Sequence, residues 1–264
     1  MGKVWAFASG KGGVGKSSVS AGLAVEFAKR GMRTLIVDAD IGLRNLDLML
    51  GMQDRVLYEL SDCLEKRCSL EEAMVPHPTY PSLYLLVGGQ TAKPGDFSTG
   101  QLTKIFSTIR KYFDVVLVDC PAGLGKGFRN MLAVADDLAL VATPDDVCLR
   151  DTQKTAQTVF KKATLSPYLI LNRYDVSSLK NGSIQSPQTI ASNIDMALLG
   201  TIPNDAQVYS ALLQGLTMAE CDSAEVTIAL GNIASRMRGQ DVPFENYLKS
   251  PFRKWLEKFM RGLK

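Results

Sequence analysis

Histidine and cysteine, the usual metal ligands and nucleophiles, are scarce in this 264-residue chain, which has one histidine and five cysteines. The cysteines, Cys63, Cys68, Cys120, Cys148 and Cys221, are scattered, odd in number and form no C-x-x-C pair. Reduced thiols in a cytosolic compartment are therefore the expectation. His77 sits in the proline-marked stretch "VPHPTYP" and reads as an exposed loop residue, not as a metal ligand or a base. No apolar run approaches the ~18 residues of a membrane span. The N-terminus runs straight into the strand-like "KVWAFAS", so no targeting peptide is expected. Internal repeats and low-complexity tracts are also missing. So is a basic body: the chain carries 30 basic and 27 acidic side chains, but 250–264 alone hold five basic residues against one acid. That leaves 1–249 close to neutral, and the basic excess belongs to the tail.

What is present is alternation. "VWAFAS" precedes a helical pattern near 16–30, and "TLIVDAD" precedes one at 43–50. "LYLLVGG" leads to 99–112, "VVLVDCPAG" to 128–135, and "LALVATP" to 149–162. "YLILNRY" leads to a weaker segment at 187–194, and "LLGTIPND" to patterns at 206–214 and 223–238. Fully apolar strands alternating with helices predict an α/β fold, a mostly parallel sheet covered by helices on both faces. Functional groups then belong at the C-terminal strand ends, where the Gly-rich loop, Asp38, Asp119 and Asn172 lie. "SSLKNGSIQS" reads as a loop-like insertion.

The loop Gly10-Lys11-Gly12-Gly13-Val14-Gly15-Lys16-Ser17-Ser18 fits G-x-x-x-x-G-K-[ST] between a strand and a helix, the context that makes this phosphate-binding motif specific. Its glycines let backbone N–H groups turn toward phosphate oxygens, and the helix N-terminus favours the anion. Lys16 is placed for the β- and γ-phosphates and Ser17 for Mg²⁺. Asp119 closes "VVLVD", where a carboxylate holds that ion through a water. Asp38 and Asp40 close "TLIVDAD"; acids there cap a helix, face solvent or orient an attacking water. Cys120 reads as a small buried residue.

Lys11 is a second lysine in a loop that needs one. "KGGVGKSS" resembles the deviant Walker A loop of the MinD/ParA family of ATPases. So do "DADIGLRNLDLMLG", "DCPAGLGKGFRNMLAVAD", "TPDDVCLRDTQKT", "LILNRYD" and "TIPNDAQV", and the likeness spans nearly the whole chain. Ser17 stands where the family more often has threonine, and Cys120 where serine or alanine is frequent. The resemblance implies a SIMIBI-type P-loop NTPase fold. It implies slow, partner-stimulated ATP hydrolysis with Mg²⁺ and an ATP-dependent homodimer in which Lys11 reaches the other subunit's phosphates. Asp38 would position water and join Ser17 and Asp119 around the metal; Asn172, Arg173, Pro203 and Asp205 would line adenine. Asp151 would lie on a face that binds a MinC-like division inhibitor and, where present, a MinE-like activator or a polar anchor; a helix N-cap or solvated acid is its alternative.

The tail "SPFRKWLEKFMRGLK" places Phe252, Trp255, Leu256, Phe259, Met260 and Leu263 on one face of a helix, with basic residues on the rest. That pattern suits an amphipathic helix lying in a membrane interface. Division of the chain follows: an ATPase domain over 1–238, a hinge over 239–249 and a membrane-targeting helix over 250–264. The expected function is an ATP-dependent switch, cytoplasmic and peripheral on anionic membrane, that controls septum placement. A flagellar-placement relative and a ParA-like partition ATPase stay open. Nonspecific DNA binding needs distributed basic charge, which the body lacks.

Overall fold

The computed structural model describes residues 1–40, 45–89, 98–121, 123–163 and 165–245. The expected tail helix, its six apolar residues and part of the hinge lie outside the described residues.

The elements run β1 (Lys3–Ala8), α1 (Lys16–Lys29), β2 (Thr34–Asp38), α2 (Leu46–Met49), α3 (Leu60–Leu64), α4 (Leu70–Ala73), β3 (Val75–Pro76) and β4 (Leu83–Val87). They continue with α5 (Thr99–Ile109), β5 (Val115–Asp119), α6 (Lys126–Leu132), β6 (Asp137–Ala142), α7 (Asp146–Ala163) and β7 (Tyr168–Tyr174). α8 (Val176–Lys180), α9 (Pro187–Asn193), β8 (Ala197–Pro203), α10 (Ala206–Leu213), a 3₁₀ turn (Met218–Glu220) and α11 (Ala224–Met237) complete the described chain.

The strands form one sheet in the order β3-β4-β2-β5-β1-β6-β7-β8. Every pairing is parallel except β3 with β4. The apolar strands are buried throughout their centres, as a sheet covered on both faces requires. α1 is not amphipathic: Val19, Leu23, Val25 and Phe27 are all fully buried, because it packs between the sheet, α11 and the 3₁₀ turn. β1 lies centrally between β5 and β6, so the loop leaving it opens into the crevice at the C-terminal strand ends. Cys120 N–H donates to Phe7 O at 2.9 Å and Ala39 N–H to Asp119 O at 2.9 Å, which ties the ends of β1, β5 and β2 together.

Three local expectations change. The helix expected at 43–50 is confined, among described residues, to α2. The stretch expected as loop begins with α8, because Asp175 caps it, accepting from Ser177 N–H at 2.9 Å. His77 is half-buried rather than exposed: its Nδ1 accepts from the N–H groups of Thr79 and Tyr80, and burial lowers its pKa. Between β2 and β4 the chain also builds α3, α4 and β3, short elements that periodicity does not reveal. No helix among the described residues is long and apolar enough to cross a membrane.

Candidate active site

The loop between β1 and α1 needs glycine for two distinct reasons. Gly15 has φ 90°, and a Cβ on it would stand 2.4 Å from Asn172 Nδ2. Gly10 is pressed against another backbone: its Cβ would meet Asp151 C and Thr152 N of α7 at 2.6 Å. Asn172 holds the loop from the other side, its Nδ2 donating to Val14 O at 2.8 Å.

The two lysines go to different places. Lys16 is buried and its Nζ lies 2.8 Å from Asp119 Oδ1. Ser17 Oγ donates to Asp119 Oδ2 at 2.5 Å and Ser20 Oγ to Oδ1 at 3.2 Å. Strand β5 thus delivers a carboxylate onto the residues that open α1. Lys11 is half-exposed and leans toward Asp145 at 3.9 Å.

Asp38 faces Asp119 across the sheet but is bonded differently. Its Oδ1 accepts from Asp40 N–H and its Oδ2 from the N–H groups of Asn45 and Leu46, each at 3.1 Å. It therefore sits at the start of α2 as a buried acceptor rather than facing solvent. Burial pushes its pKa up to about 6, opposed by the Leu46 N–H and assisted by the charge of Asp119. Asp40 is half-buried, and burial raises its pKa while Lys16 opposes the rise. The Cys120 thiol is fully buried and pushed up to about 12, in keeping with a packing residue.

Beside the loop, Asn172, Arg173, Pro203 and Asp205 line one cleft of about 370 Å³ with Gly15 and Ser18. Tyr209, Leu212 and Met218 supply apolar wall, and sequence reading had not singled them out. Arg173, which lines the cleft, holds φ 55° where the β7–β8 register slips near the end of β7. Asp205 is engaged as the N-cap of α10, accepting from Gln207 N–H at 2.9 Å. Asp151 is no cap. It lies inside α7, half-buried, 3.9 Å from Lys154; Asp145 caps that helix instead, accepting from Cys148 N–H at 3.0 Å.

The family model for ParA, described as the NUBPL iron-transfer P-loop NTPase, matches residues 1–238. The septum site-determining protein MinD of Bacillus subtilis is 34% identical over 247 residues, covering 93% of this chain and 92% of that protein. The chain belongs to the MinD/ParA family. The MinD of Thermotoga maritima is 32% identical over 248 residues, covering 93% and 92%. Among solved structures, the MinC:MinD cell division protein complex of Aquifex aeolicus superimposes with TM-score 0.84 at 30% identity, covering 93% of this chain and 99% of that one. MinD complexed with Mg-ADP from Pyrococcus horikoshii gives TM-score 0.77 at 30% identity, covering 90% and 96%. With this family's loop, Lys16 and Asp119 in place, the chain is an ATPase.

Proposed function

We propose that this division-related ATPase is a membrane switch: ATP closes two copies face to face, and the dimer recruits a MinC-like inhibitor of septum formation to the inner face of the cell membrane. The observation that carries this reading is the separation of the two loop lysines. Lys16 is committed to the interior beside Asp119, whereas Lys11 is half-exposed and, among the described residues, makes a loose surface pair with Asp145. A cation so placed is available to a second copy, where positive charge would meet the negative charge that builds on transferring phosphoryl oxygens.

Each site residue takes a role in this reading. The backbone N–H groups of Gly10, Gly12, Gly13, Val14, Gly15 and Ser18 cradle phosphates. Lys16 leaves Asp119 for the β- and γ-phosphates. Ser17 and Asp119, whose facing oxygens lie 2.5 Å apart, are the groups that would hold the hard, oxygen-seeking Mg²⁺ of the nucleotide, Asp119 through a water. Mg²⁺ supplies neutralisation of phosphate charge. Asp38 has its lone pairs partly committed to backbone N–H groups, so it orients water more than it takes a proton. Asn172 gives one amide hydrogen to Val14 O, which leaves Oδ1 to accept from the amino group of adenine, between Arg173, Pro203 and Asp205. Asp151 on α7 serves the MinC-like partner and any MinE-like activator or polar anchor.

The division into an ATPase body (1–238), a hinge (239–249) and a membrane-targeting helix (250–264) supplies the output. One short amphipathic tail binds a bilayer only marginally. Two on one dimer bind far better, because the second acts at high effective concentration. Hydrolysis separates the copies and releases both tails.

Co-sedimentation with anionic vesicles tests this, in Mg-ATP and in Mg-ADP, for the intact chain and one ending at Lys249. Pelleting by the intact chain in ATP alone supports the reading. Pelleting that ignores the nucleotide removes the tail as output, and retention on DNA in ATP would then favour the partition function.

A further inference from the structure

Outside the nucleotide site, a short turn brings two thiols together. Cys63 lies in the last turn of α3 and Cys68 just before α4, and their Sγ atoms lie 3.5 Å apart. Both are half-buried. The other three cysteines are buried, and Cys120 and Cys221 spend their thiols on the carbonyls of Val118 and Met218.

The residues that adjoin the two thiols hold them in register. Arg67 N–H donates to Asp62 O at 2.8 Å, while its Nε and Nη2 donate to Asp62 Oδ1 at 2.8 and 2.6 Å. Arg67 also pairs with Glu65. Lys66 takes φ 63°, the left-handed conformation that reverses the chain between the sulfurs, and its N–H donates to Cys63 O at 3.1 Å. The sulfurs need to approach only to about 2.05 Å to bond, and the turn that brings them there is already closed.

We infer that Cys63 and Cys68 form a reversible dithiol that exchanges with small-molecule disulfides, with Arg67 as its positioning residue. Burial, reinforced by the neighbouring sulfur, pushes the Cys63 thiol up to about 12. Cys63 also donates toward Ser69 O. Cys68 is therefore the sulfur that attacks first. As thiolate it displaces one sulfur of a disulfide such as oxidised glutathione, forming a mixed disulfide and releasing one glutathione thiolate. That thiolate takes the Cys63 proton. Cys63 sulfur then attacks Cys68 Sγ, expelling the second glutathione. Two thiols and one small disulfide become one protein disulfide and two small thiols. The turn lies close to the strand end that carries Asp38: Ser61 N–H donates to Gly88 O at 3.1 Å, and Gly88 N–H to Asp38 O at 2.7 Å. In a cytosolic protein, a disulfide of this kind is a sensing or transient one.

The test incubates the full-length native protein with oxidised glutathione, quenches with N-ethylmaleimide and reads intact mass and peptide maps. The expected product has lost two hydrogen atoms, carries a single Cys63–Cys68 cross-link with no retained glutathione, and reverts in dithiothreitol. Cys63→Ser should stop at a glutathione adduct on Cys68. Cys68→Ser should give neither adduct nor cross-link. Arg67→Ala, checked for native circular dichroism, should slow closure several-fold, so that the mixed disulfide accumulates. The inference is overturned by a lasting glutathione adduct on the wild-type chain, or by cross-links to Cys120, Cys148 or Cys221. It is equally overturned if all native thiols stay free in a mixture that oxidises the denatured chain.

Discussion

Asp38 and Asp119 are direct register partners at the ends of the adjacent parallel strands β2 and β5, yet among the described residues Lys16 forms its ion pair with Asp119 and reaches Asp38 only as a weaker, more distant charge. Asp119 sits on Lys16, whereas the Asp38 carboxylate accepts backbone N–H bonds and feels Asp119 as a like charge. Its pKa rises from 3.8 to about 6. The native state then binds more protons than the unfolded chain between those values, so stability is greatest below them and falls as pH rises through about 6. A shift of this size corresponds to on the order of 3 kcal/mol. Denaturant unfolding from pH 4 to 7 should show this loss in the wild type, superimposed on other carboxylates, and the wild-type minus Asp38→Asn difference should isolate it. A difference flat in pH would mean that Asp38 is ionised at its ordinary value.

Lys16 and Asp119 form a buried ion pair. Removing one member strands the other charge, at a cost of roughly 3–5 kcal/mol, while removing both costs less than the sum. Lys16→Ala should therefore lower stability strongly as well as abolish nucleotide binding, and Asp119→Ala in the Lys16→Ala background should recover part of the stability without recovering binding. Urea unfolding of the four chains in the cycle measures this. Additive losses would show that the pair contributes nothing as a pair.

Gly15 and Gly13 both have positive φ, but only Gly15 has a neighbour in the way. Alanine at either position costs about 1–2 kcal/mol for the left-handed backbone. At Gly15 the new Cβ also drives Asn172 off Val14 O, adding about 1 kcal/mol for the lost hydrogen bond. Gly15→Ala should thus be the more destabilising, and Asn172→Ala should be sub-additive with it but additive with Gly13→Ala. Equal losses at the two glycines would place the strain in φ alone.

The sheet and most of its long helices were legible because each strand except β3 is a continuous apolar run and each long helix except the all-round buried α1 repeats its own period. The phosphate loop was legible because its chemistry fixes residue types at fixed spacing. What failed to show was short or cooperative. α3, α4 and α8 hold four or five residues each, too few for a period, and α3 and α4 rest on capping pairs, Glu59 with Asp62 and Ser69 with Glu72. The second pair was present as an S-x-x-E capping-box pattern that could have marked α4, whereas the E-x-x-D of the first is not a usual cap signature. The apolar wall of the cleft, Tyr209, Leu212 and Met218, comes from α10 and the 3₁₀ turn, which only the fold brings beside Asn172. The thiol pair escaped notice because its spacing is not C-x-x-C, and its closeness depends on the left-handed Lys66 and the Arg67–Asp62 clamp.

Lys11 separates stability from turnover. Its contact with Asp145 is a half-exposed pair at 3.9 Å, and such pairs contribute between nothing and about 1 kcal/mol. Lys11→Ala should therefore unfold within about 0.5 kcal/mol of the wild type and still bind ADP, since Lys16, Ser17 and Asp119 are untouched. If Lys11 acts on the phosphates of a second copy, the same variant should lose ATP turnover at every protein concentration. Mixing it with an Asp38→Ala chain should then restore part of the activity, because each mixed dimer would hold one site with Asp38 on its own chain and Lys11 supplied by the other. Recovery with a quadratic dependence on protein concentration supports a cation delivered across the dimer. Turnover that survives in Lys11→Ala alone would leave this lysine a solvated turn residue, and the reading of the loop's second charge would fail with it.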